Sequence, residues 1–74
     1  MHDTLEILDD LHSCKIDFQI ANVDGVFNVL LGSRVVDVFL AGSCADDLHK
    51  AVKWLMETVW IYYPDSKFTK KYKR

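Results

Sequence analysis

Proline is almost missing from this chain: Pro64 is the one instance in 74 residues. That excludes a proline-rich linker or recognition tract. Two cysteines, Cys14 and Cys44, are too few for the disulfide framework of a small secreted domain, and they form no C-x-x-C pair. Three glycines, Gly25, Gly32 and Gly42, supply neither a glycine-rich phosphate loop nor a nucleophile elbow. No apolar run reaches the roughly 18 residues of a membrane-spanning helix. The opening "MHDTLEILDD" is acidic and broken by charge, unlike a secretory leader. The composition therefore points to a soluble cytoplasmic chain with no membrane partner and no internal repeat.

What is present is apolar. Half of the residues are hydrophobic and 12% are aromatic, enough to fold without a metal or a disulfide. Folding at this size removes only about 60% of the unfolded chain's surface from water, so the margin of stability is small. The formal charge of −2 conceals a division. Residues 1–66 carry eleven acids against Lys15, Arg34, Lys50 and Lys53, a net of −7. Residues 67–74, "KFTKKYKR", carry five bases and no acid. The expected organisation is one compact domain over 1–66 and a basic tail over 67–74.

Asp3 is placed to cap a first helix, with Glu6 three residues later. Leu5, Leu8 and Leu11, with Ile7 and Cys14 nearby, supply its apolar stripe, and Asp3, Glu6, Asp9 and Asp10 lie outside it. From Ile16 the period changes to two. Asp24-Gly25 marks a two-residue hairpin turn that pairs Val23 with Val26, Ile20 with Val29 and Phe18 with Leu31. A second tight turn is expected at Gly32-Ser33, pairing Val29 with Val36 and Phe27 with Val38. Directly opposed residues share a face. The core face then reads Ile16, Phe18, Ile20, Phe27, Val29, Leu31, Val36, Val38 and Leu40.

Ser43 is expected to cap the last helix with Asp46 behind it, and Leu48, Val52, Leu55 and Val59 to pack on the sheet. Pro64 ends that helix near Tyr62 or Tyr63. The fold class expected is α+β: an α-β-β-β-α chain with a three-stranded antiparallel meander and two helices on one face.

Two surfaces carry more apolar residues than such a fold absorbs. Leu30, Val35 and Phe39 fall on the uncovered sheet face, and Trp54, Trp60 and Tyr63 crowd the end of the second helix. Acids accompany them: Asp3, Glu6, Asp10, Asp46 and Asp47.

The element order "helix, strand, strand, strand, helix" is similar to that of a double-stranded-RNA-binding domain. In that family a basic cluster opens the second helix and a longer loop joins the first two strands. Here the helix opens "CADDLHK" and the turn is the tight Asp24-Gly25. Nucleic-acid binding starts with cations displacing condensed counterions, whereas a body of −7 repels phosphate over a Debye length of about 8 Å. Aspartates already occupy the positive end of the helix dipole. The likeness extends to topology and stops short of RNA binding. In size, charge and element order the chain also resembles small phage-encoded inhibitors of the anti-CRISPR type, which place acids on compact α/β bodies to occupy nucleic-acid-binding sites.

Catalytic and metal chemistry find no anchor. His12-x-Cys14, even with His2, lacks the four ligands of a structural zinc site. Cys44 stands near a helix start, but the neighbouring Asp46 and Asp47 oppose thiolate formation. Cys14 and Cys44 belong to opposite ends of the sheet, too far apart for a disulfide. No cofactor site is expected, and no enzyme.

The function expected is that of a protein-binding inhibitor or adaptor presenting acids beside apolar groups to a basic partner. One alternative is a nucleic-acid accessory protein acting through Lys67, Phe68, Lys70, Lys71, Tyr72, Lys73 and Arg74, where cations interleave with stacking aromatics. Another is a structural subunit that homodimerises through its open sheet.

Overall fold

The computed structural model describes residues 3–33 and 38–73, the side chains of Ser33 and Val38 excepted. Its elements run α1 (Thr4–Ser13), β1 (Phe18–Val23), β2 (Val26–Ser33), β3 (Val38–Ala45), α2 (Leu48–Tyr62) and α3 (Lys67–Tyr72). The α-β-β-β-α order is therefore present, followed by a third short helix. The strands form an antiparallel sheet in the order β1-β2-β3.

α1 begins at Asp3, whose side chain makes no capping bond. Its buried stripe is Ile7 and Leu11, one turn apart, with Leu8 and Cys14 packed beside them. Leu5, expected in that stripe, is 72% exposed. A Schellman motif closes the helix: Ile16 N–H donates to Leu11 C=O and Lys15 N–H to His12 C=O, each at 3.0 Å. The motif needs a left-handed residue, and Lys15 supplies it at φ 58. Ile16 then meets Leu11 in the core.

The first hairpin has the register expected of it, from Val23 opposite Val26 to Phe18 opposite Leu31. Asp24 (φ 52) and Gly25 (φ 78) are both left-handed, as a type I′ turn requires.

The second hairpin does not have the expected register. Gly32 and Ser33 continue β2, and Ser33 pairs with Val38. Val29 stands opposite Ser43, where Val36 was expected, and Phe27 opposite Ala45, where Val38 was expected. The glycine marks a bulge. At φ 115, Gly32 adopts a backbone that a β-carbon resists, and the register shifts between Leu31 and Gly32. Leu40 becomes the extra residue of β3 and still packs partly on the core. His2, Arg34, Val35, Val36, Asp37 and Arg74 lie outside the described residues.

Because β3 extends to Ala45, Ser43 is a strand residue and Asp47 caps α2, its carboxylate accepting from the Lys50 N–H at 2.8 Å. α2 packs across β2 and β3 through Ala51, Val52, Leu55 and Val59. Leu48, expected with them, is exposed.

Pro64 ends α2, and the chain then turns into α3. Ser66 caps this helix, accepting from Thr69 N–H at 3.1 Å, while its hydroxyl donates to Tyr63 C=O at 2.9 Å. Thr69 donates to the same carbonyl at 2.6 Å. Phe68 is 1% exposed and Tyr72 is also buried, their ring centroids 4.6 Å apart. The segment expected as a tail is thus, over residues 67–72, a helix that contributes to the core.

Candidate interaction surface

All helices gather on one side of the sheet, where Val29 and Leu31 of β2 meet Leu11 and Leu55. The other side is built from Leu30, Gly42, Asn28 and Cys44, which face one another across β2 and β3. Phe39 joins them because the bulge at Leu40 resets the alternation and sets Phe39 opposite Gly32. Its ring leans across Gly42: a β-carbon there would sit 3.4 Å from the Phe39 Cε2 and 3.6 Å from the Leu30 Cδ1. The missing side chain at Gly42 lets the ring settle beside Leu30. Leu30 is consequently only 7% exposed, while Phe39 remains 66% exposed. A shallow depression of about 900 Å³ runs along this face from Phe39 past Leu30 and Asn28 to Ala21.

Of the expected sheet anchors, Phe39 is presented to solvent, Leu30 is covered and Val35 lies outside the described residues. Trp54 and Trp60 on α2, and Tyr63 at its C-cap, are half-buried against the core. Ile61, 74% exposed, and Tyr62 hold the outer surface there instead. A helical wheel identifies Ile61: it lies two residues, or about 200°, from the buried Val59.

Four of the five expected acids, Glu6, Asp10, Asp46 and Asp47, stand in ion pairs. Lys71 Nζ lies 2.7 Å from Asp10 Oδ2 and 3.3 Å from Glu6 Oε1, bridging α3 to α1. Tyr72 donates its hydroxyl proton to the same Asp10 oxygen. The hydrogen bonds from Lys71 and Tyr72 hold the Asp10 carboxyl below the usual carboxylate range. Asp10 and Glu6 in turn raise the Lys71 ammonium. Burial, with the hydrogen bond to Asp10 second, pushes the Tyr72 phenol up.

At the other helix start, Lys50 Nζ is 2.9 Å from Asp46 Oδ1 and 4.0 Å from Asp47 Oδ2. Its hydrogen bond lowers the Asp46 carboxyl. Asp3 is exposed at the start of α1. Between these clusters Thr4 Oγ1 and His49 Nδ1 meet at 2.8 Å, tying the two helix starts together.

In the basic segment, Lys67, Lys70 and Lys73 are exposed, whereas Phe68, Tyr72 and Lys71 are engaged within the fold. The aromatic groups that base stacking would require are in the core. Cys14 is half-buried and Cys44 exposed, and both are free thiols. Among the described residues no three His, Cys, Asp or Glu side chains gather to hold a metal, and no helix is long and apolar enough to cross a membrane.

No protein-family model, curated protein or solved structure matches this chain. The likeness to double-stranded-RNA-binding domains is accordingly one of element order.

Proposed function

We propose that the chain is a small non-enzymatic protein-binding module, an inhibitor or adaptor, that uses the acids of its helices and the apolar groups of its open sheet face to bind a basic partner. The observation that carries this reading is Phe39, 66% exposed on a face that none of the described helices covers, above a depression formed by neighbouring strands. An aromatic anchor beside a concave surface is the usual centre of a protein contact, with charges at its rim. The acids favour a basic partner because a solvent-exposed ion pair such as Lys50–Asp46 holds its partners weakly and exchanges readily for an intermolecular one. Acids that occupy a nucleic-acid-binding site, as in anti-CRISPR-type inhibitors, are one use of such a surface.

The test separates the two contributions. Phe39→Ser is compared with reversal of Asp3, Asp46 and Asp47 to lysine; Glu6 and Asp10 are left alone because they hold α3. With a partner recovered by the wild-type chain, Phe39→Ser accelerates dissociation and the reversal slows association. Retention unaltered by both sets of changes refutes the proposal. Sedimentation over a range of concentrations identifies self-association through the same face as the competing result.

A further inference from the structure

The structure points to the outer edge of β1 as a docking site for an extended segment carrying a basic residue at each end. We propose that a partner strand adds to the sheet there; this deepens the reading of a basic protein partner and rests on it. Four observations converge on that edge. β1 is an outermost strand, and α2 packs on β2 and β3. Its six residues "FQIANV" contain no charge and no proline, the devices that normally blunt an edge. Ala21, Asn22 and Val23 are exposed. Acids stand immediately beyond both ends, Asp17 and Asp24, neither in an ion pair among the described residues.

The ladder shows which backbone groups face outward. Gly32 N–H donates to Asp17 C=O at 2.8 Å, so Asp17, Gln19, Ala21 and Val23 spend their polar groups on β2. Phe18, Ile20 and Asn22 direct theirs to the free edge. An added antiparallel strand bonds to those three and sets its terminal cations beside Asp24 and Asp17. Its side chains on the open face cover Val23, now 54% exposed.

Charge disfavours a second copy of the chain as the occupant, and backbone geometry disfavours the other edge as the site. Two β1 strands can pair antiparallel only through their outward-facing residues, as with Ile20 opposite Ile20, and that register sets Asp17 of one copy one position from Asp24 of the other at both ends, where like charges repel. The other outer strand, β3, is interrupted by the bulge at Leu40, which twists an edge away from pairing.

The probe is a blocked peptide, Lys-Thr-Val-Thr-Val-Thr-Val-Lys, titrated into the full chain and followed by backbone amide NMR. A twin with glutamate at both ends is the charge control. The expected result is shifts concentrated at residues 17–24, tighter binding of the lysine peptide by at least about fivefold at low salt, and loss of that margin in Asp17→Asn/Asp24→Asn. Asn22→Pro removes one outward N–H without touching the β1–β2 ladder, so binding disappears while the rest of the spectrum persists. If the lysine peptide binds Asn22→Pro as tightly as wild type, a basic ligand docks elsewhere: the edge proposal falls and the basic-partner reading stands. If both peptides bind equally, the charge frame is wrong. If neither binds, the edge proposal falls, and the proposed function keeps its own test through Phe39 and the helix acids.

Discussion

The Tyr72 hydroxyl donates to the Asp10 carboxylate, joining the last helix to the first across nearly the whole chain. Lys71 contacts the same oxygen, so one carboxylate receives both a phenol and an ammonium. This junction makes α3 part of the fold.

Asp10→Asn therefore lowers the melting temperature at neutral pH, and the difference has a defined pH course. A carboxyl depressed in the folded state stabilises above its ordinary value of 3.8 and loses that contribution as pH falls through the folded value. The gap between wild type and Asp10→Asn is level near neutrality and closes in acid below pH 3.8. The raised Tyr72 and Lys71 act in the opposite sense: their contribution is complete below about pH 10 and declines as pH climbs beyond it. Thermal melts of both proteins across the pH range check both limbs.

Phe68→Ala removes a fully buried ring and is expected to cost about 3–5 kcal/mol in urea unfolding. Truncation after Asp65 is expected to destabilise at least as much. A dispensable tail would leave the midpoint unchanged.

Lys15→Gly relieves a left-handed residue that carries a β-carbon while keeping the Schellman bonds to Leu11 and His12. A stabilisation of about 1 kcal/mol is expected, read as an upward shift of roughly 4–8 °C in melting temperature.

Gly32→Ala does the reverse. At φ 115 the new β-carbon strains the bulge, and a loss of about 1–2 kcal/mol is expected. Amide exchange speeds up first around Leu31 and Phe39 if the damage is local to the bulge, as the pairing implies.

The two hairpins show why the sequence is legible in one place and not in another. Asp24-Gly25 is a local signal, since both residues must be left-handed and few pairs tolerate that, so the register of β1 on β2 follows from it. Gly32-Ser33 offers the same kind of signal, yet a glycine at positive φ serves a bulge as well as a turn. Either choice keeps Val29 and Leu31 inward; the alternatives differ in what lies across from them, and local alternation is blind to that. Phe39 was legible as an exposed residue of the open face. The closure of Leu30 was not, because it depends on the ring reaching across Gly42 from the shifted strand.

The basic segment is the other division. Ser66 as a cap with Phe68 and Tyr72 one turn apart is a readable helix pattern, but in six residues it is too short to form a helix without packing. Charge contrast made the segment look separate, and that same contrast, through Lys71 and Asp10, is part of what holds it in place.

By itself the sequence determined the order of the first five elements, the type I′ hairpin, the apolar stripe of α2 and the opposition of an acidic body to a basic end. These rest on periodicity, on backbone conformations only certain residues accept, and on charge, all of which act over a few neighbouring positions. Only the tertiary structure decided the partner of each β2 residue on β3, the burial of Phe68 and Tyr72, and which acids remain unpaired. Those depend on contacts between residues far apart in the chain, where several local arrangements are nearly equal and packing selects one.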